Sequence, residues 1–340
     1  MSERKIIYLG FAFSHHRNTH AGYDKISNYL PYNKKISCQR YLDNCNSTTL
    51  FRRIVQKLNR TLFNIAEIPY YFIYVIWKSF FSSNNVFHFI YGENTFFSLP
   101  KFCLRKNNRF VCTFHQPFEW FQNNPRFIKH IKNLDAIILV GNSEIKKFES
   151  MTGKKNVVFI PHGICTEFYK PEHDIKKEHM LLTVGNWLRD YDFANKVYQQ
   201  LLIDDSSLVI NVVANEENQK HITKHPRIHF HNGISDEQLK KLYCQCSVLY
   251  LPLIRYTANN AILEAGATGC NIVISSDYPD NSYIPEQFIT LSNMDVENAV
   301  KKIKSSLKNN YNYDLSAYVS ENFSWEKIAQ RTEAFLRDLQ

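Results

Sequence analysis

Short uninterrupted apolar runs alternate with longer amphipathic segments along nearly the whole chain. In the first half the runs are KIIYLGF (5–11), VFHFIY (86–91), RFVCTF (109–114), DAIILVG (135–141) and VVFIP (157–161). In the second half they are MLLTVG (180–185), SLVINVVA (207–214), RIHFH (227–231), SVLYLP (247–252) and NIVISS (271–276). Runs without polar alternation predict strands buried on both faces, and helix-length segments between them predict βαβ units with parallel sheets. The pattern restarts near residue 178, after the polar, proline-bearing KPEHDIKKEH (170–179), which reads as an interdomain linker. The expected architecture is α/β, with two Rossmann-like domains in series. No short internal repeat and no low-complexity tail is visible.

The bulk properties agree with this organisation. A chain of 340 residues, 44% hydrophobic, can bury two cores. The longest bilayer candidate, residues 68–77, is broken by Lys78 and falls short of the roughly 20 residues a spanning helix needs. The charged start MSERKIIYLGFAFSHH has a brief apolar stretch and no small-residue cleavage site, so no secretory signal is expected. Eight scattered cysteines without a C-x-x-C argue against a disulfide framework or structural zinc, and for a reducing cytoplasm.

Net charge adds an asymmetry. Residues 1–170 hold 24 Lys and Arg against 10 Asp and Glu, a balance of +14, whereas residues 171–340 hold 17 against 22, a balance of −5. A basic half attracts anionic membrane, polyanion or nucleic acid, or is simply a solvated surface. Within it, Arg52, Arg53, Lys57 and Arg60 cluster on an expected helix and precede the aromatic Tyr70, Tyr71, Phe72, Tyr74 and Trp77. Such a segment fits an anionic lipid interface, and equally a core helix with a wet face. A nucleic-acid module would interleave basic and aromatic residues on one face. Here the aromatics fall mostly within the apolar runs, so no nucleic-acid partner is expected.

Several chemistries are absent from the motifs. The first strand is followed by AFSHHRNTHAGYD, not G-x-G-x-x-G; no phosphate-binding G-x-x-x-x-G-K-[ST], H-E-x-x-H or G-x-S-x-G occurs either. His15, His16 and His20 lie in a loop without an evident acidic partner, and no metal site is expected there. What remains are polar clusters at the expected carboxyl ends of strands, where open α/β sheets bind ligands. They are HAGYD (20–24), YGE (91–93), HQP (115–117), GNWLRD (185–190) and RYTANNAILEA (255–265). Thr257, Ala258, Asn259 and Asn260 would open a helix whose free N–H groups favour phosphate. Glu264 lies one turn further, within reach of hydroxyls attached to that phosphate, as on a ribose; a solvated position or a charge helping the helix N-terminus is the plainer account. Arg189 would add a charge-assisted contact to the same diphosphate.

Nearly end to end, the chain resembles the GT-B glycosyltransferases, specifically the retaining group classified as family 4. VVFIPHGICTEFYKP (157–171) is similar to that group's opening of the second domain, and residues 239–277, ending in Leu-Glu-Ala, Gly and a strand, to its donor-binding block. FSWEKIAQRTEAFLRDL (323–339) is similar to its terminal helix, which crosses back onto the first domain. The resemblance implies an acceptor domain over 1–170, with 324–340 packing on it, and a nucleotide-sugar domain over 171–323. The family usually carries two glutamates eight positions apart; Glu264 matches the second, while Tyr256 stands at the first. Its Arg…Lys phosphate pair is not plainly present after Gly185, where Asn186-Trp187-Leu188-Arg189 follows.

What the resemblance implies is transfer of a sugar, typically a hexose, from a nucleotide-diphosphate sugar with retention, needing neither cofactor nor metal. It assigns ribose to Glu264, phosphate to Arg189 and a sugar-facing role to His115, with Gly185, Asn186, Tyr256, Thr257, Ala258, Asn259 and Asn260 around the donor. His20, Gly22, Tyr23 and Asp24 are expected at the acceptor, Asp24 hydrogen-bonding or deprotonating the attacking hydroxyl, or else capping a helix that starts near residue 22. The expected acceptor is a glycan or lipid-linked glycan in cell-surface polysaccharide synthesis, met at the inner face of the cytoplasmic membrane. Other readings are a different GT-B sugar-nucleotide enzyme, such as an epimerase or phosphorylase, or an inactive relative.

Overall fold

All ten apolar runs form strands in the computed structural model, which describes residues 4–17, 19–40, 50, 54, 57, 69–96, 107–153, 156–172, 174–255, 258–278 and 283–339. The first sheet contains β1 (Lys5–Gly10), β2 (Lys34–Ser37), β3 (Asn85–Phe89), β4 (Arg109–Phe114), β5 (Ala136–Leu139) and β6 (Val157–Phe159). The second contains β7 (Glu178–Val184), β8 (Val209–Val213), β9 (Ile228–His231), β10 (Cys246–Pro252), β11 (Asn271–Ser275) and β12 (Thr290–Ser292). Two strands, β2 and β12, were not visible as apolar runs. Both are sheet edges, where a strand needs no two-sided burial; Lys34 and Lys35 of β2 are exposed.

The order of the first sheet is β2-β1-β3-β4-β5-β6 and of the second β12-β11-β10-β7-β8-β9, with every pair parallel. The second is thus the 3-2-1-4-5-6 order of a doubly wound sheet, reversing between β7 and β10. The first reverses between β1 and β3. Central strands read as continuous apolar runs because both faces are covered: every residue of β3, β10 and β11 is buried.

The helices are α1 (Tyr70–Phe81), α2 (Gly92–Thr95), α3 (Phe118–Gln122), α4 (Pro125–Ile131), α5 (Ile145–Thr152), α6 (Tyr191–Asp204), α7 (Glu216–Gln219), α8 (Asp236–Gln245), α9 (Asn260–Ala267), α10 (Val296–Ser306), α11 (Tyr313–Phe323) and α12 (Trp325–Asp338). Their starts follow local chemistry. Asp190 caps α6 by accepting from Phe193 N–H at 2.8 Å, and Ser235 and Gln238 form a reciprocal capping box on α8.

The chain divides into two compact units: Met1–Arg17, Gly22–Ile160 and Ala329–Gln340 in one, Asn18–Ala21 and Pro161–Ile328 in the other. The second unit begins ahead of the polar stretch at 170–179 because residues 162–169 pack within it. His162 N–H donates to the Tyr283 hydroxyl at 2.7 Å, Ile164 bridges Ser324, and a side chain at Gly163 would strike the Trp325 ring. Among the described residues no helix is long and apolar enough to cross a membrane.

Candidate functional site

In a doubly wound sheet the loops leaving adjacent strands at the reversal point part in opposite directions and open a crevice beyond the strand ends. In the second unit these loops follow β7 and β10. The first is tightly shaped: Gly185 has φ +114° and Leu188 φ +57°, and a Cβ at Gly185 would lie 2.7–2.8 Å from the Arg189 guanidinium. Only glycine allows that approach, so Arg189 lies directly on the turn. Arg189 also bridges Leu253, and Ile254 N–H donates to Leu188 O at 3.1 Å, tying the two loops together.

The half-buried Arg189 guanidinium donates to Val184 O at 3.3 Å, Trp187 O at 2.6 Å and Asn259 Oδ1 at 3.1 Å. Its partners are neutral oxygens; among the described residues it forms no ion pair. Burial lowers its pKa, while the Tyr191 and Tyr243 hydroxyls act in the opposite sense. A partly desolvated cation held by carbonyl oxygens leaves positive charge for an incoming anion. Asn259 is the N-cap of α9: its Oδ1 also accepts from Ala261 N–H at 3.1 Å, while its buried Nδ2 has no partner among the described residues. An amide donor, a guanidinium and the start of an eight-residue helix therefore lie together.

Glu264 is not a solvated position. It is buried on α9 with Ala261, Leu263 and Ala265 around it in sequence. The Tyr243 hydroxyl donates to its Oε2 at 2.9 Å; Tyr169, another buried tyrosine, is coupled to it electrostatically. Burial pushes the carboxyl up to about 7, opposed by the Tyr243 hydrogen bond and reinforced by the negative charge of Asp236. Glu264 lines a small cavity with Ala21, His162, Gly163, Ile164, Asn260 and Leu263. Sequence reading singled out Glu264 but missed Tyr243, Tyr169 and Asp236, which reach it from distant elements.

Other expected donor residues divide. Asn186 braces the neighbouring loop: its Oδ1 accepts from Asn215 N–H at 2.6 Å and its carbonyl from Asn218 Nδ2 at 3.1 Å. Ala258 and Asn260 are half-buried beside Asn259. Tyr256 and Thr257 lie outside the described residues.

The first unit's reversal point gathers different side chains. Tyr91, in the left-handed region at φ +51°, turns the chain into α2 and presents Glu93 in its first turn. Glu93 Oε1 accepts from the backbone N–H of His115 at 3.3 Å and lies 3.5 Å from His115 Nδ1, while its buried Oε2 has no hydrogen-bond partner among the described residues. The His115 ring meets the Tyr23 ring edge-on at 4.8 Å and the Tyr91 ring at 4.6 Å. Asp24 stands 3.5 Å from Lys25 Nζ; burial raises its pKa and Lys25 opposes the rise. The element over Tyr23–Asn28 is a 3₁₀ turn with Gly22 at its N-cap and no side-chain cap, so Asp24 does not cap it. Glu93 belongs to the YGE cluster (91–93) marked from the sequence, two residues beyond the apolar run 86–91, but no role was assigned to it there.

The loop after β1 does not act as one piece. Gly22, Tyr23 and Asp24 group with the first unit, but His20 groups with the second. The apparent lack of an acidic partner is corrected there: His20 Nδ1 lies 3.0 Å from Asp236 Oδ2, and its ring stacks on Phe168 at 3.7 Å. That acid is 216 positions away in sequence and so was invisible. Of the four basic residues, Lys57 is exposed, and Arg52, Arg53 and Arg60 lie outside the described residues.

No protein-family model matches the sequence, and a search of curated proteins finds no match. Solved structures do match in fold. A glycosyltransferase from Rickettsia africae superposes with TM-score 0.64 at 12% identity, covering 100% of this chain and 99% of that one. A sucrose-phosphate synthase from Thermosynechococcus elongatus gives 0.66 at 13%, covering 99% of each. An α,α-trehalose-phosphate synthase (UDP-forming) from Burkholderia vietnamiensis gives 0.67 at 10%, covering 99% and 98%. The chain thus has the GT-B fold of two Rossmann-like domains, in line with the family resemblance read from its sequence.

Proposed function

We propose that the protein is a glycosyltransferase of the GT-B type, moving a sugar from a nucleotide-diphosphate sugar to a hydroxyl of a glycan or lipid-linked glycan with net retention. The observation that carries this reading is Arg189: a half-buried guanidinium with no carboxylate partner among the described residues, beside the buried Asn259 amide, whose Nδ2 has no partner among them, at the start of α9. That arrangement suits a diphosphate, and Glu264 in the same helix suits the ribose hydroxyls. The UDP-forming synthase among the matched folds is consistent with a nucleoside diphosphate as leaving group.

In the proposed reaction the bond between the anomeric carbon and the diphosphate oxygen breaks, and negative charge grows on the leaving group. Arg189, Asn259 and the α9 N–H groups are fixed where that charge develops, and preorganised donors stabilise it without reorganisation. The acceptor hydroxyl attacks the oxocarbenium-like centre from the face the diphosphate leaves, and its proton passes to the departing phosphate or to a carboxylate. Asp24 and His115 are assigned to substrate hydroxyl groups. Incubating the purified full chain with a panel of nucleotide sugars and following nucleoside diphosphate release tests the reading. Release from one donor, accelerated by an acceptor, is expected; no release from any donor would refute it.

A further inference from the structure

We infer that the outer face of α1 is a docking surface for an anionic lipid bilayer. The helix YYFIYVIWKSFF contains no acid and one base, Lys78. One side is fixed in the core of the first unit: Tyr71, Phe72 and Val75 are buried, the Phe72 ring lies 5.7 Å from Phe89, and the Tyr71 hydroxyl donates to Thr95 O at 2.7 Å. With that side anchored, the opposite side should be polar if it met only water. Instead Ile73 is 63% exposed, Trp77 56%, Phe80 56% and Phe81 65%. The Trp77 ring lies 5.9 Å from Phe81 and 6.4 Å from Tyr74, so these side chains form one continuous apolar surface.

Cations border the surface. Lys34 Nζ stands 4.7 Å over the Tyr74 ring, and Lys78 lies within α1. Neither α1 nor β2 carries an acid. Tryptophan and tyrosine sit well at headgroup depth, aliphatic and phenyl groups below it, and lysines reach the anionic headgroups above. A symmetric dimer through this face would set a lysine-rimmed patch against its own copy, which charge complementarity disfavours. The lysine rim therefore points to lipid as the occupant. The surface is independent of the donor chemistry at Arg189 and Glu264.

The test is flotation of the full chain with phosphatidylglycerol–phosphatidylcholine vesicles at low salt, alongside calorimetric binding of nucleoside diphosphate to the same preparations. Wild type should float with anionic vesicles, and the bound fraction should fall with added salt. The exposed triple change Ile73→Ser, Trp77→Ser, Phe81→Ser should weaken vesicle binding by about a hundredfold, and Lys34→Gln with Lys78→Gln by about thirtyfold. Neither set should alter nucleotide affinity, which also reports that the variants are folded. Absence of wild-type flotation at low salt, or flotation unchanged in the serine variant, would overturn the inference. So would a dimer that the serine variant converts to monomer with vesicle binding intact, since the face would then belong to a second copy.

Discussion

At the reversal point of the second sheet a half-buried guanidinium meets three neutral oxygens and, among the described residues, no carboxylate, whereas that of the first sheet sets Glu93 against the His115 imidazole and Asp24 against Lys25. The two sheets share a parallel topology, so fold alone does not account for the difference. Their loops do. Glycine at 185 lets a cation settle against the backbone, while Tyr91 in a left-handed turn brings an acid to the strand end. The first arrangement suits an anion, and the second suits hydroxyl groups that give up protons or hydrogen bonds. The proposed sugar transfer calls for both chemistries, because a leaving diphosphate gains charge while an attacking hydroxyl loses a proton.

The largest test of this contrast is removal of the uncompensated cation. Arg189→Ala should lower turnover at saturating donor by about 10²–10³, the range for losing one preorganised charge donor, with a smaller rise in KM. Normal turnover would pass the phosphate role to another cation. Arg255, just ahead of α9, is one such cation, and its guanidinium lies 4.5 Å over the Tyr278 ring.

Glu264→Ala should weaken nucleoside diphosphate binding by roughly ten- to a hundredfold, the equivalent of about 1.5–3 kcal/mol for hydrogen bonds to a charged group. Calorimetry on the folded variant checks this. Its buried carboxyl predicts a pH effect as well. Because the folded-state pKa is raised from 4.5 to about 7, the protonated form is the one favoured by folding. The free protein's stability from this group is therefore full below 4.5 and falls as pH rises toward 7. Nucleotide binding runs the other way if the ionised carboxylate accepts the ribose hydroxyls. Affinity should drop about tenfold from pH 8 to pH 6 in wild type and stay flat in Glu264→Gln.

The smallest expected effect lies in the first unit. Asp24→Asn should slow acceptor-dependent transfer by about fivefold, as for one lost hydrogen bond, and leave acceptor-independent donor hydrolysis unchanged. Equal losses in both reactions, or lost thermal stability alone, would make Asp24 structural.

The eight central strands were legible because burial on both faces demands unbroken apolar runs; of the four edge strands, β6 and β9 kept such a run and β2 and β12, free of that demand, did not. Arg189 and Glu264 were legible as polar residues placed against an apolar pattern. Their partners were not, since Asn259 meets Arg189 across 70 positions and Tyr243 meets Glu264 across 21. His20 shows the same limit more sharply: its carboxylate comes from the start of α8. Local pattern marks which residues are out of place, and only the fold shows what they face.

The central claim is that the second unit's reversal point holds a nucleoside diphosphate. The direct measurement is calorimetric titration of UDP, GDP and ADP into the full chain at pH 8, repeated with Arg189→Ala and Glu264→Ala. Saturable binding of one nucleotide, weakened by both changes, is the predicted result. Binding of none, or binding that neither change alters, would contradict the account.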